Sequence, residues 1–421
     1  MTTAHPEEFR RRFSPLALLA AARHNVRRAL AHPMTNYYML LGASGLLLTI
    51  GLIMVLSASS VRSYVYLDDS YAIVKKQLTW VALGLPAAWI ASRMPLSWIR
   101  ALAWPAYGLA IVLLGLTVFM GESRNGNQNW LAVGPVAIQP SEIAKLALVL
   151  WAAHVFAMKE RKLDVYRHLF IPVVPGMGIA TALVLMGRDL GTTLVFIALA
   201  LGMLWVVGAP MRLFGGGVVL AGALVAVMAY IDQERLSRIT NFSDPFKEYH
   251  DAGWQPAHGL FALATGDLFG QGIGGSTQKW GDLPEAHTDF IFAVLGEELG
   301  LAGTLLVVSL FLVIAFAALR VATAAEDPFV RYLTFGIVVW LVGQMMINIG
   351  MVLAVLPVIG IPLPLISYGG SALLPSLVAL GLVIGFARTE ARTTTVVPAG
   401  LDPDLPEVTH PRPGPGVTVP D

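Results

Sequence analysis

Ten apolar stretches dominate this chain, each close to the roughly 20 residues that carry a helix across a bilayer. They lie at about 37–58, 72–92, 99–120, 141–158, 169–187, 190–208, 213–231, 288–320, 330–356 and 370–388. In hydrocarbon every backbone amide needs an internal partner, so such stretches form helices. None of them alternates as the strands of an outer-membrane barrel do. Composition agrees. Hydrophobic residues make up 56% of the 421 and charged residues only 13%, against about a quarter charged in soluble proteins. A soluble fold of this length must coat its surface with charge, and this chain cannot. The expected fold class is an all-α integral membrane protein. It has about ten transmembrane helices and a long extracytoplasmic loop between helices seven and eight.

Basic residues orient the bundle. With the N-terminus inside, 18 of the 28 Lys and Arg fall on that side and nine on the other, Lys145 lying within the fourth span. Cytoplasmic loops carry the excess of positive charge, so both termini are expected in the cytoplasm, as an even number of spans also requires. The net charge is +1, which gives nucleic-acid binding no electrostatic support. There is no cysteine, which excludes disulfides, thiolate metal sites and thiol nucleophiles.

Three regions follow. Residues 1–36, with Arg10, Arg11, Arg12, Arg23, Arg27 and Arg28 around the brief apolar run Leu16 to Ala22, read as a basic cytoplasmic arm and not a cleaved signal. Residues 37–390 form the ten-helix membrane domain. Residues 391–421 hold seven prolines and almost no aliphatic periodicity, as expected of a disordered cytoplasmic tail. Two loops on the outer face stand out: 121–140, and 232–287 with its 56 residues. Long structured loops of this kind are usually functional. The eighth helix is expected to start near Thr288. Its uncharged part Leu299 to Leu319 already spans the bilayer, which leaves Asp289, Glu297 and Glu298 at the outer interface beside the long loop.

Polar groups near lipid are functional candidates by default, and here they gather at one level. Trp130 and Gln139-Pro140-Ser141-Glu142 lead into the fourth helix, with Lys145 one turn further in. Arg188-Asp189 sits between helices five and six, His287-Thr288-Asp289 opens helix eight, and Ser367-Tyr368-Gly369-Gly370-Ser371 opens helix ten. Each also has a plain structural reading. Glu142 suits a first helical turn and can pair with Lys145 at i,i+3. Asp189 is a good N-cap for the helix that follows, and Asp289 can cap or charge-stabilise helix eight. Trp130 can anchor the interface, and Gln344 with Asn348 can join helices. The run Gly270, Gly272, Gly274, Gly275 could cradle a phosphate, but no strand precedes it.

A ligand that uses Lys145 and Arg188 must be anionic, and one that reaches leaflet level must be amphiphilic. A carboxylate base beside cations that stabilise a departing phosphate suits glycosyl transfer from a polyprenyl pyrophosphate. It suits a lipid transporter that binds the head group equally well. The residues alone leave both open.

Five motifs carry a resemblance. They are Asn125-Gly126-Asn127-Gln128-Asn129-Trp130-Leu131, then Gln139-Pro140-Ser141-Glu142 with Lys145, and Asp189-Leu190-Gly191-Thr192. The fourth is Leu283-Pro284-Glu285-Ala286-His287-Thr288-Asp289-Phe290-Ile291-Phe292, and the last is Pro362-Leu363-Pro364-Leu365-Ile366-Ser367-Tyr368-Gly369-Gly370-Ser371. Over roughly residues 37–390 the chain resembles the SEDS family of bacterial shape, elongation, division and sporulation proteins, and within it the division branch. The resemblance implies a peptidoglycan glycosyltransferase of the cytoplasmic membrane, at the division septum, that polymerises lipid II and releases undecaprenyl pyrophosphate. It implies as partners lipid II and the lipid-linked strand, a class B penicillin-binding protein as transpeptidase, and other division proteins at the tails. Asp289 takes the place of the family's essential aspartate, here as general base. Glu142, Lys145, Trp130, His287 and Ser367 are expected to line the substrate site, Lys145 holding a pyrophosphate. A divalent cation, Mg or Mn, is a candidate for neutralising that pyrophosphate, although no metal motif stands in the sequence. Gly187-Arg188 replaces the family's usual Gln-Pro, which places an extra cation near the site, and Gln128 stands where relatives often carry arginine. The alternatives are a lipid II flippase and a non-catalytic division scaffold. Clustering of the polar groups on one leaflet favours the enzyme.

Overall fold

The structure is a computed structural model that describes residues 32–396, apart from 125, 135, 164, 232–235, 238–241, 243, 248, 250, 252 and 282. The arm before residue 32, the tail beyond 396, and Arg235 and Arg238 lie outside the described residues. Among the described residues ten apolar helices follow one another in the expected order. They are α1 Thr35–Leu67, α2 Ala72–Ala91, α3 Leu96–Met120, α4 Pro140–Lys159, α5 Val173–Met186, α6 Leu190–Val206, α7 Met211–Ile231, α8 Ile291–Ala324, α9 Pro328–Val352 and α10 Gly370–Val396. α10 outlasts its apolar run, so the first residues of the expected tail are helical.

Seven of the ten are long and apolar enough to cross a membrane; α5 and α6, with 14 and 17 residues, are apolar but short, and α2 opens on Lys75 and Lys76. At 1.5 Å per residue α5 reaches only about 21 Å. Beside the short α5 stands a feature that the all-helical expectation left as loop. Residues 121–140 fold into a three-stranded antiparallel sheet, β1 Glu122–Arg124, β2 Asn127–Val133 and β3 Val136–Ile138. Its middle strand lies on the α5–α6 turn, where the Gln128 amide donates to the Gly187 carbonyl at 2.8 Å.

α4 forms the centre of the bundle, packed by α3, α6, α9 and α10. Its apolar positions recur all round the helix, so Trp151 and Phe156 are fully buried. Trp151 stacks on Tyr107 of α3 with ring centroids 4.2 Å apart. The connection from α9 to α10 does not stay at the surface. Ile361, Leu363, Leu365 and Ile366 are buried. A Cβ on Gly51, near the middle of α1, would stand 2.5 Å from the Leu365 carbonyl oxygen. Leucines and prolines without charge let this segment re-enter the bundle. Gln344 and Asn348, expected to join helices, also satisfy its carbonyls: Gln344, which accepts from Lys145 of α4, donates to Pro362 O at 2.8 Å and Asn348 to Ile361 O at 2.7 Å.

α8 begins at Ile291, not at Thr288, so Asp289 lies in the turn before it. The helix is broken at Gly300, whose φ of 67° and ψ of −167° are non-helical. Only glycine adopts that conformation without strain. Leu263 to Gly272 of the long loop, including part of the helix Trp254–Thr265, packs against the first piece of α8.

Candidate active site

The strongest candidate carboxylate, Asp289, is placed by its backbone. Three successive carbonyls are each held by a different donor. The Tyr368 amide donates to His287 O at 2.9 Å, Ser367 Oγ to Thr288 O at 2.7 Å, and Asn348 Nδ2 to Asp289 O at 2.8 Å. Glu285, in the left-handed region at φ 54°, closes the turn by accepting from the Thr288 and Phe290 amides at 3.1 Å each. Phe290 is fully buried beneath the loop helix at Gly259. Gly360 of the re-entrant segment backs the carboxylate; a Cβ there would stand 3.4 Å from Asp289 Oδ2.

The carboxylate itself takes no hydrogen bond from any described residue and keeps an opening to solvent. Protein nonetheless encloses it on its remaining sides. That enclosure, with like charge from Glu285 and then Asp189, pushes its pKa up to about 7. Burial likewise holds His287 well below the ordinary histidine range, with Glu285 opposing and Arg62 adding to the shift. The imidazole is therefore neutral at pH 7. It lies beside the Tyr368 ring, centroids 5.6 Å apart. Arg62, at the end of α1, reaches Glu285 at 3.7 Å.

The other expected site residues divide into two groups. Glu142 and Lys145 are 2% and 1% exposed and bound to each other at 2.7 Å, while Lys145 also donates to Gln344 Oε1 at 2.8 Å. The Lys145 ammonium, expected to hold a pyrophosphate, is enclosed here by Glu142 and Gln344. Ser367 is likewise committed to backbone, donating to Thr288 O and accepting from the Leu363 amide at 2.7 Å. Arg188 and Trp130 remain nearer the surface. Arg188 is exposed at φ 60° on the α5–α6 turn, and Trp130 is half-buried in β2.

Asp189 is a filled cap. It accepts from the Thr192 amide and hydroxyl at 2.9 Å each and from Asn129 Nδ2 at 2.7 Å. Beside it a small cleft is lined by Asn129, Ser141, Thr117 and Gln128. Asn348, Gly360 and Glu285 were not singled out as site residues. Glu285 sits in a quoted motif, whereas nothing local marks Asn348 or Gly360 as neighbours of Asp289. The glycine run does not cradle a phosphate, since the Gly270 and Gly272 amides donate to Gly266 O and Glu298 O. No three Asp, Glu or His among the described residues lie close enough to hold a metal ion. A resident divalent cation therefore finds no carboxylate or imidazole ligand set among the described residues.

This arrangement defines a multi-pass membrane protein with a carboxylate site at one end of the bundle, and comparison with known proteins identifies its family. Residues 38–392 match the family of cell cycle proteins that comprises FtsW, RodA and SpoVE, and the chain belongs to that family. It is 38% identical over 375 residues to the probable peptidoglycan glycosyltransferase FtsW of Mycobacterium tuberculosis, covering 89% of this chain and 72% of the relative. To the stage V sporulation protein E of Bacillus subtilis it is 37% identical, covering 82% of this chain and 94% of the relative. Among solved structures it resembles a chain of a peptidoglycan synthase complex that coordinates polymerization and crosslinking, with a TM-score of 0.68 and 27% identity, covering 83% of this chain and 97% of that one. It also resembles the rod shape determining protein RodA of Thermus thermophilus, with a TM-score of 0.62 and 26% identity, covering 84% and 97%.

Proposed function

We propose that the chain is an inverting peptidoglycan glycosyltransferase that polymerises lipid II during cell division, with Asp289 as general base. One observation carries this reading: a carboxylate whose backbone is pinned at three successive carbonyls is itself left without a hydrogen-bond partner among the described residues. Its pKa of about 7 matches what a base needs at neutral pH. Asp289 takes the proton from the GlcNAc 4-hydroxyl of the acceptor. The oxygen forms a bond to C1 of the MurNAc at the lipid-linked end of the strand, and the bond from C1 to the pyrophosphate oxygen breaks. The electron pair leaves with undecaprenyl pyrophosphate, so an α-linked donor becomes a β-1,4 glycan. Arg188, exposed on the same side, supplies a cation for the departing pyrophosphate. Glu142 and Lys145 act as the buried brace of the site.

The asymmetry of basic residues, 18 against nine, supports an outward-facing site with both termini in the cytoplasm. The likeness to a chain of a polymerization and crosslinking complex supports work beside a transpeptidase of the class B penicillin-binding type. Division partners bind the terminal regions, and the membrane domain spans 37–390.

The test uses the purified chain, its cognate transpeptidase and labelled lipid II. Glycan strands form with the wild type and vanish with Asp289→Asn, while the melting temperature and partner binding persist. Equal polymer from both defeats the general-base assignment. Absence of polymer from either, with lipid II crossing vesicle membranes, shows a flippase instead.

A further inference from the structure

The long loop is built inside out between residues 267 and 280. Two of its polar side chains point into the protein: Lys279 is 7% exposed and Ser276 1%, and they meet Glu298 and Glu297, at 0% and 1%. Lys279 Nζ donates to Glu298 Oε1 at 2.8 Å, to Ser57 Oγ of α1 at 2.9 Å and to Gly274 O at 2.8 Å. Ser276 Oγ donates to Glu297, as do the Thr277 amide and hydroxyl at 2.8 and 2.9 Å. The large apolar side chains point the other way. Phe269 is 82% exposed, Trp280 68%, Ile273 64% and Leu268 55%. A loop solvated by water has the opposite arrangement.

Depth decides what covers these side chains. The loop is stitched into the break of α8, where the Leu301 amide donates to Asp267 O at 2.9 Å and the Ala302 amide to Leu268 O at 3.0 Å. From Leu301 to Leu319, just before Arg320, α8 carries no charge. Those residues rise about 28 Å, close to the roughly 30 Å of a hydrocarbon core. Leu301 therefore sits at the boundary of the hydrocarbon, and Leu268 and Phe269 sit beside it. The exposed face of α8 continues from Leu301 through Leu305 to Leu312, at 49%, 58% and 56% exposure, so the loop patch extends a lipid-facing surface. Trp280 has the amphipathic chemistry of an interfacial anchor. The exposed polar groups of the segment, Asp267, Gln271 and Thr277, belong at head-group level.

We infer that residues 267–280 are a membrane-binding segment, with Leu268, Phe269, Ile273 and Trp280 seated in the leaflet on the loop's side. The Lys279–Glu298 pair and its neighbours are the internal fastening that turns this apolar face toward lipid. The long loop is then anchored at both ends of its second half, by this segment and by the Asp289 turn.

The absence of cysteine makes the test direct. Single cysteines replacing Phe269, Ile273 and Trp280 are spin-labelled in the full chain and reconstituted in phospholipid vesicles. Collision with oxygen, which concentrates in the bilayer, is compared with collision with a water-soluble nickel chelate. Leu312→Cys serves as the lipid reference and Asp251→Cys as the aqueous one. The expected oxygen-to-nickel ratios at 269, 273 and 280 lie on the side of Leu312→Cys. Ratios matching Asp251→Cys overturn the inference, as does shielding from both collision partners, which shows a protein contact such as a second copy. A second measurement leaves the other patch residues intact. The emission lost on Trp280→Phe must be quenched by brominated phospholipid, and its persistence in brominated vesicles overturns the inference independently.

Discussion

Two aspartates stand just ahead of membrane helices, Asp189 before α6 and Asp289 before α8, and the chain treats them in opposite ways. At Asp189 the side chain is committed: Thr192 donates twice and Asn129 once, all within 2.9 Å. At Asp289 the backbone is committed and the carboxylate takes no hydrogen bond from any described residue, the Asn348 amide reaching its carbonyl at 2.8 Å. A capping carboxylate satisfies helix amides that otherwise have no partner. A carboxylate relieved of that duty, yet held from behind, can take a proton from a substrate. The same residue type in similar sequence positions thus yields a structural part in one place and a chemical one in the other.

The largest effect should separate the two most sharply. Asp289→Asn is expected to lower the polymerisation rate by about 10²–10⁴-fold, the usual span of a general base, measured as initial rates on labelled lipid II. In the wild type the rate should fall as pH drops through about 7, because the carboxyl then holds its proton. Stability runs in the other direction. With the folded pKa raised above the ordinary 3.8, the fold binds this proton more tightly than the unfolded chain does. Stability is therefore lost as pH rises between these two values, and no further above about 7. Asp289→Asn removes that slope, and its melting temperature in detergent at pH 8 should equal or exceed that of the wild type. A rate without an acid limb near neutral pH breaks the comparison.

A third carboxylate, Glu142, tests what commitment means deeper in the bundle. Lys145→Met leaves it buried without its ammonium, which costs about 3–5 kcal/mol in comparable pairs. The companion change Glu142→Gln should restore most of the loss, both read by thermal unfolding. If Lys145→Met unfolds at the wild-type temperature, Lys145 is not tied to Glu142, and a role in binding phosphate reopens.

Asp189→Ala comes next, with about 1–2 kcal/mol lost for the cap and its two side-chain donors. Asp189→Asn retains an acceptor and isolates the charge. Since Asp189 helps to raise the pKa of Asp289, this variant should move the acid limb of the rate slightly to lower pH. An unmoved limb shows that the two sites are electrically independent.

How much of this was legible in the sequence follows from the range of each contact. The ten helices and their order were legible, because each is a local apolar run. The Asp189 cap was legible too, since Thr192 is three residues away. The free state of Asp289 was not. It depends on Ser367 reaching Thr288 and Asn348 reaching Asp289, 79 and 59 residues away. The same holds for the contact of the sheet with the α5–α6 turn, where Gln128 meets Gly187, and for Lys145, whose enclosure needs Gln344 of α9. Side-chain chemistry names candidates, and distant backbone contacts decide which of them stays available to a ligand.

Arg188 carries the smallest expected effect. It immediately precedes the committed aspartate, yet it is exposed and held at φ 60°, a conformation that a long side chain adopts at some cost. The turn turns its α-carbon outward while Asp189 points in, so one dipeptide offers a cap to the helix and a cation to the surface. An exposed charge contributes about 0.2–1 kcal/mol to such a contact and is screened by salt. Arg188→Gln should accordingly raise the apparent KM for lipid II by a few-fold, leave the melting temperature unchanged, and remove most of the salt dependence of that KM. An unchanged rate and affinity would remove Arg188 from the site. The chemistry would then rest on Asp289 alone, and the cation for the departing pyrophosphate would have to come from Arg62 or from a partner.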